Sequence, residues 1–478
     1  MGVGCKRFGI EKNVVPLRAM QMIKRYTPYY KQILHLALPV VLAQAGQLTT
    51  QFADTAMVGN FGGADPVPLA AVSLGSSLFL LIYLAALGLA LAITPLVGEY
   101  YARGNRHEVA RIFENSVSYC LLIGVSATGA ALALRPFIRV LGGWMSSPGE
   151  DISAVVEQAL PYYDMLVWSI LPLMVFLAVK QFLEGIGNTS TAMWISLASN
   201  VVNIVLNYIF IFGNFGSEAM GTEGAGLATL LARVGQMVAI VAYFFLSRRL
   251  RIYRVFFERG IIRLSYLRSL LRIGYPISFQ MVLESAAFIL TSILALSFGT
   301  VAGGAMQVAF SIANVAWMIT VAIGSASTIL VSHIYGAGER AQLRPTVRAT
   351  YHLGLAWGLF MAVVFVLFRG PITSLFTDNV EVIALSSELM LLIAIYQLSD
   401  AVQGLSISML RGIQDVRVIM PIVLFAYLVV NIPVGCLLAY GLDMECEGLV
   451  IGLILGLSVA ALLTLLRLRR RVVLFERG

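Results

Sequence analysis

Residues 68–97 read PLAAVSLGSSLFLLIYLAALGLALAITPLV, a run of thirty amino acids without one charged side chain. A helix needs only about 20 apolar residues to cross the hydrocarbon core of a bilayer. The rest of the 478-residue chain has the same character, because 59% of its residues are hydrophobic and 12% are charged. Soluble domains are about a quarter charged. The mean hydropathy of +0.85 agrees with this comparison. The sequence therefore predicts an all-α integral membrane protein.

Apolar segments between charged, Gly or Pro residues predict twelve transmembrane helices. In the first half they cover 33–58, 68–97, 111–134, 160–183, 191–213 and 224–246. In the second half they cover 271–297, 301–332, 348–369, 381–410, 417–440 and 447–467. An even number of spans places both termini on the same side of the membrane.

Basic residues are distributed unevenly between the two sides of this predicted bundle. The 33 Lys and Arg outnumber the 25 Asp and Glu, which gives a net charge of +8. Most of them lie on the side of the termini, in segments 1–32, 247–270 and 468–478 and in short loops, one of which holds Arg411 and Arg417. Because cytoplasmic loops are enriched in Lys and Arg, we expect both termini in the cytoplasm. The positive charge then reflects orientation and contact with membrane lipid, not a nucleic-acid partner.

Three ordered matches indicate an internal duplication. Leu38-Pro39 aligns with Tyr275-Pro276, the segment 97–106 with 331–340, and 183–186 with 410–413. The first half has about three extra residues near 64–66. Since each repeat holds six helices, both enter the membrane in the same direction, and a pseudo-two-fold axis along the membrane normal relates them. The predicted domains are a cytoplasmic segment 1–32, an N-lobe 33–246, an Arg-rich linker 247–270, a C-lobe 271–467 and a basic tail 468–478.

Three acidic residues, Asp54, Glu284 and Asp400, lie within predicted spans. A carboxylate at a helix centre costs about 2.5 to 3.5 kcal/mol on insertion scales, so each one requires an explanation. Each belongs to a polar stripe on one helix face. The other stripe residues, which we expect to line a water-filled cavity between the lobes, are Gln44, Gln47, Gln51, Gln280, Gln307, Asn314 and Gln403.

Two clusters follow from these stripes. Glu284, Asp400 and Tyr396 combine two carboxylates with a phenol, and two carboxylates in a dry site bind a proton or a cation such as Na⁺ between them. Asp54 with Asn203 and Asn207 is a second candidate site for a cation, a proton or substrate. Hydrogen bonding between helices is an equally common use of Asn, so the second cluster has a structural alternative.

Catalytic and nucleotide-binding motifs are absent from the sequence. His107-Glu108 lacks the second His of H-E-x-x-H, the segment 324–327 does not complete G-x-S-x-G, and no P-loop occurs. The four cysteines show no paired spacing. We therefore expect neither an enzyme nor a cofactor, and energy from an ion gradient.

Several runs resemble one transporter family. The run 38–44 and the run 52–59 are similar to the first helix of the multidrug and toxic compound extrusion (MATE) transporters. The runs 276–284, 400–403 with 410–412, and 448–462 resemble the NorM-type bacterial branch. The resemblance implies two six-helix lobes that export cationic, amphipathic drugs by antiport with Na⁺ or H⁺. We expect a monomer in the bacterial inner membrane. The resemblance also implies that Glu284, Asp400 and Tyr396 bind the coupling cation, and that Asp54, Asn203 and Asn207 form the acidic site of the first lobe.

Two other functions remain open from the sequence. A lipid-linked precursor flippase has a similar number of helices, but it would favour cationic residues in its cavity to hold phosphates. An intramembrane enzyme is disfavoured by the missing motifs. The pattern does not distinguish Na⁺ from H⁺, nor the lobe that binds drug.

Overall fold

The structure is a computed structural model that describes residues 14–63, 65–145, 152–255 and 262–477. Ala64, in the short insertion near 64–66, and part of the linker lie outside the described residues. Seventeen α-helices form the described chain: α1 Val14–Gly62, α2 Val67–Ala90, α3 Ile93–Ala102, α4 Arg106–Leu134, α5 Phe137–Met145, α6 Ser153–Trp168, α7 Ile170–Gly185, α8 Thr189–Phe212, α9 Gly221–Leu246, α10 Arg251–Val255, α11 Leu264–Leu296, α12 Thr300–Ala337, α13 Arg340–Thr373, α14 Val380–Gly412, α15 Ile419–Leu424, α16 Ile432–Cys436 and α17 Glu445–Arg477.

Twelve helical segments of the described chain are long and apolar enough to span a membrane, which confirms the predicted number. Three of these segments contain more than one helix: Val67–Ala102, Ser153–Gly185 and Ile419–Gly441. Several helices extend beyond the predicted apolar limits. The first begins at Val14 and the last continues to Arg477, because helical hydrogen bonding does not require apolar side chains once the helix has left the hydrocarbon layer.

The eleventh span has an irregular backbone. Between α15 and α16 the segment Phe425–Asn431 is a π-helix, and a second π segment covers Leu437–Gly441. π-Bulges within α-helices occur frequently at functional sites. Here the first π segment carries Tyr427, which is completely buried.

The two halves of the chain repeat each other in side-chain detail. Thr94 Oγ1 donates a hydrogen bond to the Gln181 carbonyl at 3.0 Å, and Thr328 Oγ1 donates one to the Ser408 carbonyl at 2.8 Å. These pairs occupy matching positions, because Thr94 and Thr328 lie three residues before the aligned segments 97–106 and 331–340, and the two carbonyl residues lie two residues before the aligned segments 183–186 and 410–413. This repetition agrees with a fold of two parallel six-helix lobes. We refer to α1–α9 as the first lobe and to α11–α17 as the second lobe.

The lobes meet at one end of the bundle, which we call the terminal face and define by the helix ends Ala102, Gly185, Ala337 and Gly412. Helices α3 and α12 cross there at very short range. A Cβ atom added to Gly336 would stand 2.2 Å from the Glu99 carbonyl oxygen. Only glycine permits this contact, so the two lobes touch backbone to backbone at the terminal face.

Candidate functional site

Glu284, on α11 in the second lobe, is the centre of a polar network inside the membrane region. Its Oε2 accepts a hydrogen bond from Gln280 Nε2 at 2.6 Å. Its Oε1 accepts bonds from the Tyr427 hydroxyl at 2.9 Å and from Gln403 Nε2 at 3.4 Å. Side chains from three spans therefore hold this carboxylate in one orientation.

Asp400 lies on α14 beside this network and is 3% exposed. Its charge interacts with that of Glu284 and with the hydroxyl of Tyr396, one helical turn earlier. Its Oδ2 has no hydrogen-bond partner among the described residues. Buried polar atoms are almost always paired. A deeply buried carboxylate oxygen without a partner, close to a second carboxylate, is the arrangement that a proton or a cation completes.

Arg411 joins the same network, although the sequence analysis assigned it to a short loop. The structure corrects that assignment: Arg411 is within α14, and its Nη2 donates to Gln280 Oε1 at 2.6 Å. It also interacts electrostatically with Glu284. The available signal was its spacing, because a residue eleven positions after Asp400 returns to nearly the same helix face. The network thus contains one cation and two carboxylates.

Tyr427 was not among the sequence-predicted site residues either. Its contact with Glu284 depends on the π segment and on the packing of the eleventh span against α11 and α17. The only signal in the sequence was the pair of polar residues Tyr427 and Asn431, one turn apart in an apolar span. Helix periodicity does not reveal which neighbouring helix such a pair faces.

The first lobe contains a separate cluster around Asp54. Asn207 Nδ2 donates to Asp54 Oδ1 and, at 3.2 Å, to Asn203 Oδ1. Asn203 Nδ2 lies 3.5 Å from Thr229 Oγ1. Asn203 and Asn207 are buried, whereas Asp54 is partly exposed. The structure therefore brings the three predicted residues together as a chain of hydrogen bonds between α1, α8 and α9.

Arg233 on α9 lies close to this cluster and interacts electrostatically with Asp54. Its Nη1 donates to Ser169 Oγ at 2.5 Å, and its guanidinium carbon lies 5.2 Å from the centre of the Phe79 ring. A hydroxyl and an aromatic face thus offset part of the cost of a cation at membrane depth. Each acidic cluster therefore has an arginine that interacts with its carboxylate, Arg233 with Asp54 and Arg411 with Glu284.

The remaining polar-stripe residues divide into two groups. Gln280 and Gln403 are buried and serve as hydrogen-bond partners of Glu284. The others retain partial or full exposure: Gln44, Gln47, Gln51, Gln307 and Asn314. Within the described residues, no group of three or more His, Cys, Asp and Glu side chains has the geometry to hold a metal ion.

Two reciprocal hydrogen bonds join the lobes at the terminal face. Gln414 Nε2, in the second lobe, donates to Glu99 Oε2 at 2.5 Å. His333 Nε2, in the same lobe, lies 2.7 Å from the Gly185 carbonyl oxygen of the first lobe. Glu99 and His333 occupy matching positions of the aligned segments 97–106 and 331–340, so each lobe uses the same helix position to hold the other. We call this pair of contacts the closure.

An acidic loop residue supports one arm of the closure. Asp415, next to Gln414, accepts hydrogen bonds from Arg467 and Arg471 of α17, each with a shortest distance of 2.7 Å. Burial alone would raise the pKa of the Asp415 carboxyl, but the hydrogen bonds and positive charges of the two arginines lower it to about 2. The loop is therefore held against α17 by a charge pair that persists at neutral pH.

Comparisons with known proteins agree with this architecture. The sequence matches the MatE family model over residues 39–209 and 276–437. It is 31% identical over 456 residues to the multidrug resistance protein MdtK of Edwardsiella ictaluri (strain 93-146), and the match covers 94% of this chain and 96% of that protein.

Solved structures share the fold at lower sequence identity. An outward-facing conformation of a multidrug resistance MATE family transporter of the MOP superfamily has a TM-score of 0.84 at 21% identity, covering 94% of this chain and 97% of that one. A MOP superfamily transporter from Pyrococcus furiosus Vc1 has a TM-score of 0.82 at 22% identity, with the same coverage of 94% and 97%. Because the family match extends across both lobes and MdtK aligns with nearly the whole chain, this protein belongs to the multidrug and toxic compound extrusion (MATE) family, whose members are membrane transporters and not enzymes.

Proposed function

We propose that this protein is a secondary active exporter of cationic, amphipathic compounds that uses antiport with Na⁺ or H⁺. The observation that carries the proposal is the pair of carboxylates on Asp400 and Glu284, of which Asp400 is deeply buried with one oxygen lacking a partner. Such a pair is costly in a dry site until a proton or cation neutralises it. Occupation by the coupling ion therefore changes the energy of the second lobe substantially.

The residues around this pair of carboxylates have two different roles. Gln280, Tyr427 and Gln403 fix the Glu284 carboxylate, so a cation entering the site finds oxygen atoms that are already oriented. Asp400 supplies the unpaired oxygen, and Tyr396 lies beside it. Carboxylate and phenol oxygens are suitable ligands for a hard cation such as Na⁺, and the same carboxylates accept protons.

We assign the substrate charge preference to the acidic side chains that remain accessible. Asp54 is partly exposed and lies on the same face of α1 as Gln44, Gln47 and Gln51. Exposed polar residues at membrane depth require water, which supports a wet cavity between the lobes. A cationic compound in that cavity would find the Asp54 carboxylate, already oriented by Asn207.

The terminal face is proposed to be the cytoplasmic one, with both termini inside the cell and the chain in a bacterial inner membrane. The excess of Lys and Arg on that side supports this orientation. In this orientation the closure seals the cytoplasmic end of the bundle. Transport requires the closure to break and the opposite ends of the lobes to approach each other. Each monomer contains both lobes, and we propose that it functions alone.

Export of a lipid-linked precursor is a second candidate function, and Arg233 and Arg411 favour it because they are intramembrane cations that an anionic substrate would use. Each of them, however, faces a carboxylate of its own lobe: Arg233 interacts with Asp54 and Arg411 with Glu284. Little positive charge is therefore left for phosphate groups. We rank this function below cation export for that reason.

The test is efflux of a fluorescent cationic dye from vesicles containing the purified protein, with a Na⁺ gradient or a pH gradient imposed separately. We expect one gradient to drive efflux, and Asp400→Asn and Glu284→Gln to reduce it at least tenfold. Asp443→Asn is the matched control, because it removes a carboxylate from an exposed loop residue. Variants of the two buried residues that transport as well as the parent would overturn the proposal. Efflux driven by neither gradient, together with flipping of a labelled lipid precursor, would favour the second function.

A further inference from the structure

A long groove lies on the outside of the bundle where the two lobes adjoin. Helices α2 and α4 of the first lobe and α11 of the second form its walls, and its volume is about 730 Å³. The lining is almost entirely apolar and includes Ala85, Leu89, Ile123 and Leu267. None of the acidic residues of the two proposed ion and substrate sites lines it, so the groove is a separate feature.

The groove has one polar end. On α11 its lining extends from Leu264 to Val282, which is about 27 Å of helix at 1.5 Å per residue. Arg268 lines the end near the terminal face, and Arg272 follows one turn later. Both arginines are exposed, and neither has a hydrogen bond or ion pair within the described part of the chain. The two arginines therefore place positive charge at the mouth of the apolar groove.

A tyrosine forms part of the groove wall at greater depth. Tyr119 on α4 lines the wall and is 5% exposed, yet its hydroxyl has no hydrogen-bond partner in the described residues. The hydroxyl oxygen is itself buried beside Leu89 and Gly274, so the side chain of Tyr119 forms part of the wall while its hydroxyl is not accessible from the groove. The groove thus offers positive charge at its mouth and apolar walls below it.

We propose that the groove binds one anionic phospholipid from the leaflet at the terminal face, with its phosphate at Arg268 and an acyl chain along α2, α4 and α11. Charge decides between the possible occupants: the cationic compounds of the proposed transport function would be repelled by Arg268, whereas an anionic headgroup pairs with it. Basic pockets between membrane helices on the cytoplasmic side are suited to such headgroups. The inference rests on the proposed orientation only for naming the cytoplasmic leaflet.

Bound lipid would act on the contact between the lobes. Directly beside the groove, Ser278 Oγ of α11 donates to the Ala85 carbonyl of α2 at 2.8 Å. Gly88 packs so closely there that an added Cβ would lie 2.4 Å from Ser278 Cα. An acyl chain that contacts α2 and α11 together stabilises the arrangement in which these helices adjoin, so lipid occupancy favours the conformation described.

The test uses quenching of tryptophan fluorescence by lipids with brominated chains. A Leu122→Trp variant places the reporter on the groove lining, and Leu462→Trp places it on an exposed position of α17 as the control. Fluorescence of the parent's five tryptophans is subtracted. At the Leu122→Trp reporter, we expect brominated phosphatidylglycerol to give the same quenching as brominated phosphatidylcholine at a mole fraction at least threefold lower. At the Leu462→Trp reporter, we expect the two lipids to quench equally.

Arginine variants in the Leu122→Trp background complete the experiment. Arg268→Gln should remove the preference for phosphatidylglycerol, while Arg348→Gln, which changes an exposed arginine on α13, should leave it intact. Equal quenching by both lipids in the parent background would overturn the proposal, as would displacement of the quencher by a cationic dye, which would make the substrate the occupant. Because the readout is binding, dye efflux measured separately distinguishes failure of the lipid site from failure of the transport function.

Discussion

At the scale of single residues, both acidic sites depend on neutral partners that orient a carboxylate. Asn207 contacts Asp54 directly, whereas Asn203 contacts Asn207 and Thr229. A hydrogen bond to a charged group contributes about 1.5 to 3 kcal/mol, and one between neutral groups about 1 kcal/mol. The two asparagines therefore differ in importance, although their positions in the sequence look equivalent.

We predict that Asn207→Ala impairs dye efflux more than Asn203→Ala. Loss of the bond to the carboxylate should lower the efflux rate at limiting dye concentration about tenfold or more, and loss of the outer bond only severalfold. Initial efflux rates of the two variants, normalised to inserted protein, provide the measurement. Equal rates would show that the cluster only joins helices.

Asp415 provides a prediction for pH dependence. Its carboxyl has a pKa of about 2 in the folded protein, below the ordinary value of about 3.9 for an unfolded chain. Because the pKa is depressed, the stabilisation is fully present above pH 3.9 and is lost as the pH falls towards 2. We expect Asp415→Asn to cost about 1 to 2 kcal/mol at neutral pH, after allowance for solvent screening of the partly exposed arginines.

The measurement for Asp415 is thermal unfolding in detergent at several pH values. The variant should unfold at a lower temperature than the parent at pH 7 and pH 5, and the difference should shrink below pH 4. Asp443→Asn serves as the control and should follow the parent throughout. A difference that grows on acidification would contradict the assigned charge pair.

At the scale of elements, the closure depends on how four helix ends meet. Gln414, which follows α14, contacts Glu99 near the end of α3. His333, near the end of α12, contacts Gly185 at the end of α7. These contacts are few and polar, while the glycine packing beside them is tight. Such an interface can be broken and re-formed at moderate cost, as alternating access requires.

We predict that Gln414→Ala opens the terminal face more often. Losing about 1 kcal/mol or more of closure raises the open population about fivefold. A cysteine introduced at Ser332, which is buried at the interface, reports this opening through its rate of labelling by a polar maleimide in a background without native cysteines. Gln342→Ala, at an exposed position of α13, is the matched control. An unchanged labelling rate at Ser332→Cys would show that Gln414 does not hold the lobes together.

The sequence predicted elements better than the contacts between them. Hydropathy located all twelve spans, and helical periodicity placed Asp54, Glu284 and Asp400 on polar faces. Periodicity fixes which face a residue occupies, but the opposing helix depends on tertiary packing. Arg411 was therefore misassigned to a loop, and the contact of Tyr427 with Glu284, which requires a π segment, was not anticipated.

At the scale of the whole molecule, the two lobes have similar helix contacts but different acidic sites. The pairs Thr94 with Gln181 and Thr328 with Ser408 match between the lobes, and so do the two arms of the closure. The acidic clusters do not match, because Glu284 and Asp400 have no acidic counterparts at the aligned positions of the first lobe. Symmetry supports a motion shared by both lobes, and asymmetry supports different tasks for their two sites.

The central claim is that the Asp400 and Glu284 pair links the movement of an ion to the movement of a drug. The most direct measurement imposes a gradient of cationic dye alone across protein-containing vesicles and records movement of Na⁺ and H⁺ in the opposite direction. We predict that, in the parent, the dye gradient drives one of these ions across the membrane although no gradient of that ion is imposed. Asp400→Asn should bind dye but move neither ion. Ion movement by Asp400→Asn equal to that of the parent would contradict the account.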